Sequence, residues 1–159
     1  MKGNHNASEV AFHARPVTYL ELDRRSPSDT ATSVLWAVIP YTTAELTRAA
    51  LRHAGVCTDL NINVLLVDIQ VVPFQCPVDH PPINKEFSDQ RLRDLLDQSR
   101  LPGRTEVLYA RDWFEGFRRV LEPESLVIFA AKNRWWRTRE DKLACRLLKA
   151  GHHVMLLHI

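Results

Sequence analysis

Ser33-Val-Leu-Trp-Ala-Val-Ile39 is an almost unbroken apolar run of strand length, closed by Pro40. A strand with one wet face alternates polar and apolar residues, whereas a strand covered by helices on both faces reads as a continuous hydrophobic stretch. The second pattern recurs from Asn63 to Val72 (NVLLVDIQVV), from Leu126 to Ala131, and in the closing His153-Val-Met-Leu-Leu-His-Ile159. Thr105 to Tyr109 alternates as a shorter strand would.

Between these runs the apolar residues take up helical spacing. Thr42 and Glu45 are placed as a capping box, in which each side chain satisfies a backbone N–H left free at a helix start, and they predict a helix from about Thr43 to Leu60. Pro73, Pro77, Pro81 and Pro82 keep the next connection irregular, and Phe87, Leu92, Leu95 and Leu96 then mark a helix face. Leu101-Pro-Gly103 reads as a turn. Asp112 and Glu115 cap a third helix, whose Trp113, Phe114, Phe117, Val120 and Leu121 recur as on a helix lying against a sheet. Thr138 and Asp141 open a fourth, with Leu143, Ala144, Leu147 and Leu148 as its buried stripe and Gly151 as its left-handed terminator. Strands alternating with helices, each connection long enough for a right-handed crossover, predict an α/β fold with an open five-stranded parallel sheet and helices on both faces. Residues 1–31 show no sustained periodicity apart from Val17 to Leu22, which predicts a flexible N-terminal arm ahead of a domain over residues 32–159.

The 159 residues suffice for one domain with a sizeable core, and 45% hydrophobic with 25% charged residues is a globular composition. A net charge of +2 argues against a dedicated nucleic-acid or membrane binder. No apolar run approaches the roughly 18 residues of a membrane span, and Met1 to Val10 lacks the apolar core of a signal peptide, so a cytoplasmic location is expected. Cys57, Cys76 and Cys145 form no C-x-x-C pair and are expected to be thiols.

This order of elements resembles the universal stress protein family. The resemblance is carried by Val34 to Ile39 with Thr47-Arg-Ala-Ala50, by Val64 to Val71, by Ser125-Leu-Val-Ile-Phe-Ala130 and by Ala150-Gly-His-His-Val-Met-Leu-Leu157, and spans residues 33 to 159. It implies sheet order 3-2-1-4-5, a Rossmann-like nucleotide-binding layout, a role in stress response and a homodimer formed through the last strand, here Val154, Met155, Leu156 and Leu157. It also implies, for many members, an adenine nucleotide at the carboxyl ends of the strands. The residues depart from the family's ATP motif, in which the first strand ends in an aspartate and the fourth runs into G-x-x-G and then, after a spacer, G-[ST] at a helix start. Pro40 ends the first strand, Ala130, Ala131 and Asn133 occupy the glycine region, and Glu140 and Asp141 stand at the G-[ST] position after a shortened loop. Carboxylates at a helix start use its positive end themselves and repel a polyphosphate.

Arg134-Trp-Trp-Arg-Thr-Arg139 is the most unusual segment. Guanidiniums pair with phosphates and indoles stack on flat groups, which makes Arg134, Trp135, Trp136, Arg137 and Arg139, with Tyr41 and Thr42 just past the first strand, the candidate ligand residues. The alternative reading has the tryptophans sealing the sheet's upper edge or a dimer contact while the arginines pair with Glu140 and Asp141. Cys76, Asp79 and His80 lack the spacing of a metal site and read as plain loop, and no metal is expected. His152, His153 and His158 read as surface residues. Asp68 and Gln70 interrupt an apolar strand, where a carboxylate either finds a buried partner or faces outward at a sheet edge.

No motif for phosphoryl transfer, hydride transfer, metal-assisted hydrolysis or a nucleophilic triad is present, so the sequence points to a non-catalytic regulatory or interaction module with itself and an unidentified protein as partners and no cofactor. The alternative is a divergent stress protein that binds or hydrolyses an adenine nucleotide, ATP or AMP, using Arg134, Arg137 and Arg139 in place of the glycine loop. A third reading is a single-stranded nucleic-acid binder using the same arginines and tryptophans, which the near-neutral charge disfavours.

Overall fold

A computed structural model describes residues 35–56, 61–78, 84–132 and 138–159. Its elements run β1 (Leu35–Pro40), α1 (Ala44–Val56), β2 (Ile62–Val71), α2 (Lys85–Ser99), β3 (Gly103–Ala110), α3 (Trp113–Val120), β4 (Leu126–Ala131), α4 (Arg139–Lys149) and β5 (His153–His158). The strands form one parallel sheet in the order β3-β2-β1-β4-β5. The expected arm over 1–31 lies outside the described residues, as does the expected end of the first helix at Leu60.

Each face of the sheet carries its own core. Ala37, Ile39, Val64, Leu66 and Val107 pack against Ala50, Leu51 and Ala54 of α1 and Leu92, Leu95 and Leu96 of α2. Val38, Leu65, Val67, Ile69, Val127 and Phe129 pack on the other side against Phe117 of α3 and Leu143, Ala144 and Leu147 of α4. Consecutive strand residues alternate between these two layers, which is why the strands read as unbroken apolar runs.

The helix termini follow local chemistry, with one correction. Thr42 does not cap α1. Its neighbour Thr43 does, accepting the Leu46 N–H at 3.3 Å, while Thr42 N–H donates to Thr47 Oγ1 at 3.4 Å. Glu45 turns away to Lys132, 3.6 Å from its ammonium. Asp112 caps α3 through the Glu115 N–H, and Thr138 with Asp141 forms a full capping box on α4. At the far end of α4, Gly151 has φ +89° and its N–H reaches the Leu148 carbonyl, while the His152 N–H reaches that of Leu147. This is the left-handed termination expected of the glycine.

Two apolar assignments fail. Phe87 is 67% exposed and Leu148 47% exposed, because each sits at the solvent margin of a stripe whose other members already fill the space under the helix. Gly103 is not a turn residue but the first residue of a longer β3, paired with Val64. A Cβ on Gly103 would lie 2.9 Å from the Val64 carbonyl carbon and closer still to its oxygen, so the glycine is there for backbone approach. Gly103→Ala should therefore destabilise the domain by about 2 kcal/mol, as overpacking against backbone does, measured by urea denaturation. An unchanged midpoint would mean that β3 shifts freely along β2.

Candidate functional site

In an open parallel sheet the crevice for a ligand lies beyond the carboxyl ends of the strands, where neighbouring connections leave in opposite directions. Here that place is between β1 and β4. Their ladder runs only over Ala37↔Leu126 and Val38↔Val127, so it ends before Pro40 is reached. Pro40 closes β1, the Tyr41 N–H continues to the Val67 carbonyl at 2.7 Å, and the exposed Glu45 and Lys132 side chains bridge the start of α1 to the exit of β4. Ala130 and Ala131 are buried to 1% and 0% exposure within the sheet. Asn133, Arg134, Trp135, Trp136 and Arg137 lie outside the described residues.

The first turn of α4 faces the same rim. The Thr138 hydroxyl accepts the Asp141 N–H at 3.2 Å, and Asp141 Oδ2 accepts the Thr138 N–H at 2.7 Å. Asp141 Oδ1 is 3.2 Å from His158 Nε2, which gives His158 the acidic partner that its sequence neighbourhood lacks. Asp141 thus ties α4 to the end of β5, and among the described residues its ion-pair partner is His158.

On the α1/α2 side of the rim the interruption of β2 finds its purpose. Asp68 is buried, accepts from Arg91 at 2.8 Å and from Gln70 at 2.5 Å, and so takes the buried alternative. The Arg91 guanidinium lies 4.1 Å from the centre of the Tyr41 ring and 5.9 Å from that of Phe87. Tyr41 is thereby committed to a stack with an internal arginine. Burial pushes the Asp68 carboxyl above its usual 3.8, against the opposing pull of the Gln70 hydrogen bond and the Arg91 charge. Burial, and after it the charge of Asp68, also raises the Tyr109 phenol.

The α3/α4 side is built differently. A groove of about 310 Å³ opens between the start of α3 and the exposed flank of α4, lined by Val71, Asp112, Trp113, Phe114 and Leu143 and by four cations, Arg111, Arg139, Lys142 and Arg146. Arg139 lies 3.5 Å from the Trp113 ring centre and Arg146 4.1 Å from that of Phe114. Trp113 is held in turn by donation from its Nε1 to the Ile69 carbonyl at 3.2 Å. Arg111 donates to the carbonyls of Val72, Pro73 and Cys76, pinning the loop that leaves β2. Burial lowers the Arg139 pKa, with the Glu140 charge opposing.

The candidate residues therefore separate. Arg139 enters the groove, Tyr41 belongs to the opposite side of the sheet, and Thr42 braces the start of α1. Sequence reasoning missed Arg91, Arg111 and Arg146, whose partners are far away in the chain. Asp79 and His80 lie outside the described residues, and among those described no three His, Cys, Asp or Glu side chains converge on a metal position. No described helix is long and apolar enough to cross a membrane.

Solved structures with the same arrangement of elements decide the fold. A universal stress protein from Archaeoglobus fulgidus superposes with a TM-score of 0.55 at 12% identity, covering 79% of this chain and 98% of that one. The chain has the universal stress protein fold. A second universal stress protein, solved in complex with cAMP, gives a TM-score of 0.50 at 10% identity over 79% of this chain and 97% of its own. No protein-family model matches the sequence, and no curated protein matches it. Within the universal stress protein fold, the sheet order agrees with what the sequence resemblance implied.

The buried carboxyl gives a pH signature. With its folded-state pKa raised, Asp68 contributes stability that is complete below about pH 3.8 and is lost as pH rises through the raised value. Urea denaturation between about pH 3.5 and 7 should show stability falling more steeply with rising pH in the wild type than in Asp68→Asn. Parallel curves would mean that Asp68 does not titrate in this range.

Proposed function

We propose that this chain is a universal stress protein-like regulatory or interaction module that catalyses no reaction and does not hold ATP through a glycine loop. The observation that carries this reading is the start of α4. A phosphate at a helix N-terminus is held by free N–H groups and the positive end of the dipole. Here the Thr138 hydroxyl accepts the Asp141 N–H and the Asp141 carboxylate accepts the Thr138 N–H, and Asp141 and Glu140 place two carboxylates in the turn where a phosphate would sit. Ala130 and Ala131 fill the end of β4 with side chains where the glycine motif has none.

The homodimer is part of the same proposal. β5 pairs only with β4 among the described residues, and Val154, Met155, Leu156 and Leu157 are each half-buried along that edge. A second copy pairing antiparallel across it would cover an apolar edge that otherwise invites aggregation. Light scattering should give twice the 18.3 kDa chain mass. The His153 and Ile159 N–H groups donate inward to β4, so alternate groups such as that of Leu156 face the outer edge, and Leu156→Pro should return the protein to a monomer by removing one of them. A wild-type monomer at micromolar concentration would refute the interface.

One observation favours the adenine-nucleotide alternative: the similar fold solved with cAMP holds a ligand of that class. Calorimetric titration with Mg-ATP and with cAMP separates the readings. The interaction-module reading expects dissociation constants above about 1 mM, worth about 4 kcal/mol or less. Micromolar binding of either ligand that persists in Arg146→Gln, which alters only the α3/α4 groove, would establish the alternative.

A further inference from the structure

We infer that the groove between α3 and α4 is a binding site for a small phosphate ester, whose phosphate meets Arg139, Lys142 and Arg146 and whose apolar portion lies against Val71, Phe114 and Leu143. The groove is on the opposite side of the sheet from the Asp68–Arg91 cluster, and its cations leave α4 on the flank away from Asp141 and β5. It is therefore separate from the β1/β4 crevice, and its occupancy does not depend on whether that crevice takes a nucleotide.

The charge balance points to an anion. Arg139, Lys142 and Arg146 converge on one cavity, and no carboxylate of the described residues comes within ion-pair distance of any of them. The one acid in the lining, Asp112, already accepts the Glu115 N–H as the cap of α3. Arg111 is likewise committed, to three carbonyls. The lining sets four cations against the single carboxylate of Asp112, and a dianion placed among them relieves the remaining repulsion.

Geometry adds selectivity. Two of the guanidiniums lie over aromatic rings, Arg139 over Trp113 and Arg146 over Phe114. A guanidinium with its face on a ring keeps its N–H edge for a phosphate or carboxylate, and stacking limits the side-chain freedom lost when the anion arrives. Trp113 is fixed from behind by Ile69, so the platform under Arg139 is anchored to the sheet. A volume of about 310 Å³ is at the small end of ligand pockets. It suits a compact ester and excludes a folded partner's element. Val71 is 41% exposed, Phe114 half-buried and Leu143 buried, so the same lining that carries the cations also offers apolar surface.

NMR titration of the full chain with inorganic phosphate, methyl phosphate and phenyl phosphate, each against chloride at equal ionic strength, tests the site. Amide shifts should concentrate at residues 111–114 and 142–146, and phenyl phosphate should bind about tenfold tighter than methyl phosphate because its ring buries apolar area. Arg139→Gln with Arg146→Gln should weaken phosphate binding at least tenfold. Arg93→Gln, which removes only a surface pair with Asp89 on α2, should leave it unchanged. If the double variant fails to fold, the wild-type shift map decides. Shifts that chloride reproduces, shifts centred on residues 40–45 and 131–132, or undiminished binding in a folded double variant would overturn the assignment. Equal affinity for the methyl and phenyl esters would overturn its apolar half.

Discussion

Ala37, Val38 and Ile39 of β1 have almost no exposed surface on either side, and the remaining elements are arranged to keep that central strand dry. A parallel strand cannot be covered by its immediate sequence neighbours, since each connection must cross back over the sheet. The chain runs outward from β1 through β2 to β3, returns to lay β4 on the other side of β1, and continues to β5. Right-handed crossovers then put α1 and α2 on one face and α3 and α4 on the other. The two cores are products of that reversal, and so is the crevice where the β1 and β4 connections part.

The rim above this crevice solves the problem of polar groups at a sheet end in two opposite ways. Toward α1 and α2, Asp68, Gln70 and Arg91 satisfy one another, and Tyr41 covers the guanidinium, leaving a network closed apart from a buried Arg91 Nε that finds no partner among the described residues. Such a network specifies one arrangement and leaves little for a ligand to gain. Toward α3 and α4 the aromatic rings take the faces of the arginines, and no carboxylate of the described residues forms an ion pair with Arg139 or Arg146. The phosphate-ester inference rests on that asymmetry, and the interaction-module reading rests on the third feature of the rim, an α4 start closed by the Thr138–Asp141 capping box and carrying two carboxylates.

Local chemistry was legible where a residue acts on its sequence neighbours. The Asp112 cap, the Thr138–Asp141 box and the left-handed Gly151 each close a hydrogen bond within a few residues, and each could be read from spacing. The Thr42 assignment failed at the same scale because Thr43 offers the same hydroxyl one position on, and spacing cannot choose between adjacent threonines. Phe87 and Leu148 show the limit of periodicity, which gives the direction of a buried face but not its width. Of the ligand candidates, the Arg134–Arg137 stretch falls outside the described residues, so among the named side chains only Arg139 is seen to join a cavity.

The sequence by itself determined the element order and both buried layers, because continuous apolar runs and short-range caps depend only on chain-local spacing and hydrophobicity. Tertiary structure alone decided which charges meet. Arg91 reaches Asp68 across 23 positions, Arg111 reaches the Val72 carbonyl across 39, and Arg139 finds Trp113 on another helix. A long side chain on an exposed helix flank has no sequence pattern that names its partner, since the partner is set by how the helices pack across the sheet.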